Sequence, residues 1–402
     1  MPDVFAVDGT IRDYAWGSST AIQQLLGLPV DGRPAAELWF GAHPGAPSAA
    51  LGTTLDELIA ADPAGLLGEP VVAAFGPRLP FLLKVLAADT PLSIQVHPTR
   101  AQAEAGFAAE DARGIAIDAP ARNYRDRNHK PELLCALSEF DALCGFRPVA
   151  GTLRLLDALE LDGLEPVRAR LAGADGLRAA FSYLLTLDDP APLSRAVAAR
   201  VAALADPGWA GVRAAVAAAA AQFPGDVGVV LALLLNHVRL QPGEAIYLGA
   251  GTVHAYLHGV GIEIMANSDN VLRCGLTTKH VDVGELLAIT DFAELPEPRW
   301  PSSGTAGFGV GFDVPVPDFQ LHSADLDAYR KPGRAQGACA TGDAGKPYLV
   351  LCASGGVRVR AGRSSVGLTP GRAAFVPARD PVFTLEGTGQ TFLASVGLPQ
   401  RR

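Results

Sequence analysis

The sequence predicts a mainly β protein with a helical insertion. Three observations carry this expectation. Residues 1–147 break into short apolar or alternating runs separated by Pro, Gly and Asp turns. Residues 150–237 change to Ala- and Leu-rich stretches with helical spacing, and strand-like chemistry then returns. A Pro-Gly turn feeding an apolar strand occurs twice in closely similar words, "LQPGEAIYLGA" at 240–250 and "LTPGRAAFVPA" at 368–378.

In chain order, "AELWFGA", "FLLKVLA", "LSIQVHP" and "ELLCAL" read as strands. In "SIQVH", Ser93, Gln95 and His97 alternate with Ile94 and Val96, so a strand sends the polar three to one face and the β-branched pair to the other. "TRAQAEAGFAAEDARG" reads as a helix capped by Thr99 after Pro98. The stretches "LRLLDALEL", "LRAAFSYLLTL", "AVAARVAALA" and "VRAAVAAAAAQF" form the helical insertion. A last helix is expected from Asp226, its N-cap, through "VGVVLALLLNHV". Strands follow in "LQPGEAIYLGAGTVHAYL", and 288–318, rich in Pro and Gly, reads as a connection. Residues 319–402 read as short strands and turns, including "YLVLCASG", "VRVRAG" and "RAAFVPA". The two P-G copies suggest one β-sandwich unit used twice. They differ four residues later, where the first carries His254 and the second Val382.

A chain of 402 residues, 49% hydrophobic, can bury two or three domains. Only 19% of residues are charged, which excludes large-scale disorder. The net charge of −9 and the lack of a basic stripe argue against a nucleic-acid partner, and an anionic ligand would need its own local cations. The five cysteines, Cys135, Cys144, Cys274, Cys339 and Cys352, are odd in number and widely spaced, pointing to a reducing compartment. The N-terminal residues do not read as a signal peptide, and the apolar run around "VGVVLALLL" is too short to cross a bilayer. The expectation is a soluble cytoplasmic protein with no membrane partner. Arginine greatly outnumbers lysine, and the only lysines are Lys84, Lys130, Lys279, Lys331 and Lys346.

Three segments hold the candidate chemistry. "SIQVHP" carries Gln95 and His97; "NHKPELL" carries His129, Lys130 and Glu132; "GTVHAYLHGVGIEIMANSDNVLRCGLTTK" carries His254, His258, Glu263, Asp269, Arg273 and Lys279. Taken singly, each has an ordinary reading as a polar strand face, a solvated acid or a satisfied core histidine, and His43 in "GAHPG" reads as a turn residue. Taken together, two imidazoles, a carboxylate and a carboxamide oxygen from separate strands suit Zn²⁺, Fe²⁺ or Mn²⁺ and leave room for a substrate.

These segments, with "YAWGS", "AELWFGAHPGAPS" and "FPGDVGVVLALLLNHVRLQPGEAIYL", resemble the signatures of the type I mannose-6-phosphate isomerase family from about residue 12 to 287. The resemblance implies cupin-type jelly-roll sandwiches, one metal-binding and one metal-free. Residues 1–149 with 238–300 would form the catalytic domain, 150–237 a helical insertion and 301–402 the C-terminal sandwich. It implies one zinc per chain held by Gln95, His97, Glu132 and His254. Arg273 would be the catalytic arginine. Lys130, Lys84 and Lys279 would line the substrate pocket with Trp16 and Ser93. The usual "LTPK" of the family stands here as "LTTK".

The implied reaction interconverts mannose 6-phosphate and fructose 6-phosphate through a cis-enediol, with a monomer acting on a small hexose 6-phosphate. Lys130, His129, Glu263 and Asp269 are all candidates for the base. Two rivals stand beside it. One is a non-haem Fe(II) oxygenase, since His97, Glu132 and His254 make a two-His-one-carboxylate set. The other is a sugar-phosphate-binding protein without chemistry.

Overall fold

A computed structural model describes residues 1–304, 309–329, 337–342, 345–379 and 382–398. The chain divides into two compact units, one of Met1–Ala87, Gly261–Asn267 and Trp300–Arg402, the other of Ala88–Val260 and Ser268–Arg299.

In the first unit the N-terminal strands Thr10–Arg12, Glu37–Gly41 and Phe81–Ala88 pair antiparallel, with Trp39 opposite Lys84. Glu37–Gly41 and Phe81–Ala88 are buried along their whole length, Glu37 and Lys84 included, so they show no alternation of buried and exposed positions. The C-terminal residues build two sheets that face each other. Among the described residues one has the order Phe5–Val7, Ala373–Val376, Tyr348–Cys352, Gln390–Ser395, Gln320–Asp325, Val310–Phe312, Ser303–Gly304. The other has the order Gly337–Thr341, Phe383–Thr388, Gly356–Ala361, Ser364–Leu368. Val350, Cys352 and Leu393 of the first meet Val359 and Leu385 of the second in one buried core. Phe5–Val7, from the other end of the chain, forms the edge of the first of these sheets.

The second unit carries the strand Ile94–Val96 between Leu272–Gly275 and the first part of His254–Ala266. His254–Ala266 in turn pairs with Phe140–Phe146, and that strand with Leu235–Leu240. Glu132–Ala136 pairs with Ala245–Leu248. The alternation read in "SIQVH" is realised. Ile94 and Val96 are fully buried and join Leu143, Phe146 and the helical residues Leu155, Phe181 and Val216 in one core. The helical segment therefore packs on the apolar back of this sheet. Gln95 and His97 are left to the opposite face.

That segment contains the helices Val149–Leu159, Glu165–Leu171, Gly176–Leu185, Ala191–Ala202 and Ala210–Gln222. The helix Arg100–Ala112 starts as predicted, with Thr99 and Gln102 forming a reciprocal capping box. The expected last helix is corrected. It spans only Gly228–Leu231, and Leu235–Leu240 is already strand. Every residue from Val229 to Leu235 is at most 2% exposed, so the run carries no helical period from which its length could be read. Pairing with Phe140–Phe146 then claims its second half. Asp226 does accept the Gly228 N–H, at 2.6 Å.

The expected connection over 288–318 contains the short strands Arg299–Trp300, Ser303–Gly304 and Val310–Phe312, and residues 305–308 lie outside those described. The repeated P-G motif gives the same local structure twice. Ala245–Leu248 and Ala373–Val376 start at the same place in their copies, after Gly243 (φ 89°) and Gly371 (φ 74°). Positive φ at this turn position is what requires glycine. Val382 is 60% exposed.

Candidate metal centre

His254 sits directly opposite Gln95 on one neighbouring strand and Cys144 on the other, and Arg273 lies opposite Gln95 on the far side. Cross-strand partners share a face, so the sheet puts Gln95 and His254 on the same side. His97 follows Gln95 by two and stays on that face. Its ring centroid lies 5.0 Å from that of His254. Glu132 opens its own strand and turns its carboxylate to both rings, with Oε1 3.3 Å from His97 Nε2 and Oε2 3.5 Å from His254 Nε2.

One ligand atom each from His97, Glu132 and His254 lie within 4.8 Å of one another, and the residues are 0%, 1% and 0% exposed. His97 Nδ1–H donates to the Asn270 carbonyl at 2.8 Å, and His254 Nδ1–H to the Thr252 carbonyl at 2.8 Å. These bonds place the lone pair of each ring on Nε2. Both Nε2 atoms and Glu132 Oε2 are buried without a hydrogen-bond partner. Orphaned buried polar atoms are costly, and three of them converging on one point are satisfied together by a cation. The donor set fits a divalent metal.

The electrostatics agree. Burial, with the charge of Lys130, pushes the His97 imidazole down to about 4, so it is neutral and able to ligate near pH 7. Burial opposes the charge on Glu132, but Lys130, His97 and His254 outweigh it and hold the carboxyl well below the usual carboxylate range. The Lys130 ammonium is in contact with Glu132 Oε1.

Beside this centre, on the same unit, stand Arg273, Lys279 and Arg125. The charge of Arg273, then burial and Arg125, lowers the Lys279 ammonium, and burial with Arg125 lowers the Arg273 guanidinium. Cations close enough to disfavour one another make a local positive field in a chain of net charge −9. The 275–279 loop is held by Asp226, whose Oδ1 accepts the Leu276 N–H at 2.7 Å.

The remaining sequence candidates are placed as follows. His129 Nε2 accepts from Arg100 at 3.1 Å, Ser93 is half-buried, and Asp269 is exposed with its backbone N–H on Asp126. His258 is exposed past a register shift in its strand, so it does not join the ligand set. In the first unit, Glu263 and Lys84 are an ion pair at 2.8 Å, and Trp16 stacks on Tyr14 with centroids 5.7 Å apart. His43 accepts the Gly45 N–H through Nδ1, the turn role expected for it. Sequence reasoning missed Asn270, Thr252 and Arg125. Two of them act on the ligands through backbone carbonyls, which leave no residue-type signature.

Comparison with known proteins gives a consistent result. The family profile "Phosphomannose isomerase type I, catalytic domain" matches residues 4–149. The chain is 39% identical to the mannose-6-phosphate isomerase of Escherichia coli (strain K12) over 395 residues, covering 95% of this chain and 96% of that one. It is 34% identical to the Rattus norvegicus mannose-6-phosphate isomerase over 360 residues, covering 81% and 82%. Among solved structures it superposes with a TM-score of 0.89 on the Salmonella typhimurium mannose 6-phosphate isomerase bound to fructose 6-phosphate and zinc, at 36% identity, covering 99% of this chain and 100% of that one.

Proposed function

This chain belongs to the type I phosphomannose isomerase family and is an isomerase, and from that premise we propose that it interconverts mannose 6-phosphate and fructose 6-phosphate through a cis-enediol, with one zinc ion per chain. The observation that carries the reading is the convergence of three orphaned buried atoms, His97 Nε2, Glu132 Oε2 and His254 Nε2. With Gln95 beside them they make a ligand set of two nitrogens and two oxygens. Bound there, zinc supplies Lewis acidity toward the sugar oxygens.

The chain's own residues do the rest. Arg273 holds a fixed positive charge where the enediolate develops. Lys279, in the field of Arg273 and Arg125, holds the phosphate as a point charge. Lys130, 8% exposed and bonded to the ligand Glu132, is the proton-transfer group we carry forward from the four candidates. His129, Glu263 and Asp269 are the comparisons against which it is tested. Ser93, on the Gln95 face, is a proposed substrate contact.

The two-His-one-carboxylate set by itself also suits an iron oxygenase. The chain-long likeness to isomerases and the local cations favour the isomerase. The test is metal removal followed by a coupled isomerase assay. Chelated protein should lose turnover and recover it with zinc, while Lys130→Met abolishes turnover and keeps zinc bound. Full turnover by rigorously metal-free protein would sink the mechanism. Parental turnover by Lys130→Met would move the proton transfer to His129, Glu263 or Asp269.

A further inference from the structure

Asn270 is fully buried in the segment "ANSDN", and its side chain is saturated. Its amide donates to the Asp126 carbonyl at 2.9 Å, to Asp126 Oδ1 at 3.2 Å and to the Asn128 carbonyl at 2.8 Å. Its Oδ1 accepts the Arg125 N–H at 2.7 Å and the Asp126 N–H at 3.2 Å. Its own N–H donates to Ser268 Oγ, which in turn donates to both carboxylate oxygens of Asp126. Its backbone carbonyl receives His97 Nδ1–H.

One residue thus touches two arms of the metal centre. Its carbonyl fixes the ring orientation of His97. Its side chain ties down residues 125–128, the lead into Lys130 and Glu132, with no regular element of their own. We propose that Asn270 is a positioning residue that sets the distance between His97 and Glu132. The inference rests on the metal reading above.

The chemistry explains why this residue type is used. An asparagine amide presents two donors and an acceptor at once. It can therefore close residues 125–128 against its own segment while the carbonyl of the same residue remains free for the imidazole. Aspartate would keep the acceptor and lose both donors. Alanine would lose everything except the carbonyl, which would then be anchored only through the main chain. Outer contacts of this kind are worth about tenfold to a hundredfold in metal affinity.

The test is zinc titration of chelator-stripped protein against a chromogenic competitor, with the cobalt-substituted absorption spectrum as a second readout. Asn270→Ala should bind zinc about tenfold to a hundredfold more weakly than the parent and show altered cobalt ligand-field bands. Asn270→Ser, which keeps one donor and one acceptor without adding charge, should fall between, and it carries the measurement if Asn270→Ala does not fold. Asp141→Asn, a change elsewhere in the same unit, should keep parental affinity at any loss of stability. Asn270 variants that melt earlier but keep parental zinc affinity and spectrum would overturn the proposal and leave a purely structural role. A parent that binds no zinc would instead overturn the metal reading on which it rests.

Discussion

Lys84 and Glu263 form a buried ion pair, Nζ to Oε2 at 2.8 Å, with side chains 6% and 3% exposed. Glu37 adds a second carboxylate to the same ammonium at 3.3 Å and itself accepts Trp39 Nε1–H at 2.7 Å. The lysine thus has a structural role that its sequence context did not signal. Lys84→Met should leave two buried carboxylates uncompensated and cost about 3–5 kcal/mol. Denaturant titration measures this directly. A variant with parental stability and a raised KM for phosphorylated substrate alone would instead make Lys84 a dedicated phosphate holder.

Asp226 and Leu276 define a second dependence. Leu276 is held at φ 51°, in the left-handed region that a branched aliphatic side chain avoids. Asp226 accepts the N–H of Leu276 and of Gly228 through Oδ1, and that of Thr277 at 3.4 Å through Oδ2. The backbones meet so closely that a Cβ on Gly275 would lie 2.7 Å from Gly228 Cα. Asp226→Ala should cost about 2–3 kcal/mol, since it releases three N–H groups and the strained turn together. It should also raise KM, because the released turn carries Lys279. Asp226→Asn keeps the Oδ1 acceptor and should restore most of both. Thermal melts and KM for mannose 6-phosphate check the pair, and an Asp226→Ala protein with parental KM would detach the loop from substrate binding.

The strands were legible because alternation leaves a local pattern, and His97, Glu132 and His254, which the fold brings together, stood in three of the segments singled out in the sequence. Alternation at Ile94–His97 put the imidazole opposite the packed face, and the core at Ile94 and Val96 bears that out. The helix length after Asp226 was not legible, because a run buried on all sides has no period. The supports of the site were not legible either. The Thr252 and Asn270 carbonyls act as backbone. In the first unit, the Lys84 ion pair was hidden too, because no spacing rule connects residues 84, 37 and 263.

Asp141 gives the pH dependence a sign. Burial opposes its charge, but hydrogen bonds from His237 at 2.8 Å and from Arg239 at 3.0 and 3.1 Å outweigh burial and bring it to about 2 from 3.8. A carboxyl lowered in the folded state stabilises above its unfolded value and loses that stabilisation as pH falls through the folded one. The window is therefore about pH 4 down to 2. With Arg239 half exposed, solvent screening reduces the contribution to about 1–2 kcal/mol. Denaturation at pH 7 and pH 2.5 should show a smaller difference in Asp141→Asn than in the parent. An equal difference would mean that the interaction survives protonation.

Arg273 is the cation opposite Gln95, flanked in its strand by the buried Leu272 and Cys274. Its guanidinium is half-buried and lies near Arg125, which raises the cost of holding it charged. A structural ion pair would relieve that cost. A role in catalysis keeps the cost in the free enzyme and recovers it when enediolate charge develops. Under the catalytic reading Arg273→Ala should lower kcat about 10²–10³-fold, with a much smaller rise in KM. Arg273→Lys keeps the charge without the planar fork and should recover only part of the rate. The loss of a cation from the field around Lys279 should also stabilise the folded protein slightly, because Arg273 is the largest influence disfavouring the lysine's charge. Steady-state kinetics and thermal melts on both variants separate the readings. An Arg273→Ala protein that melts lower yet turns over at the parental kcat would make the arginine structural.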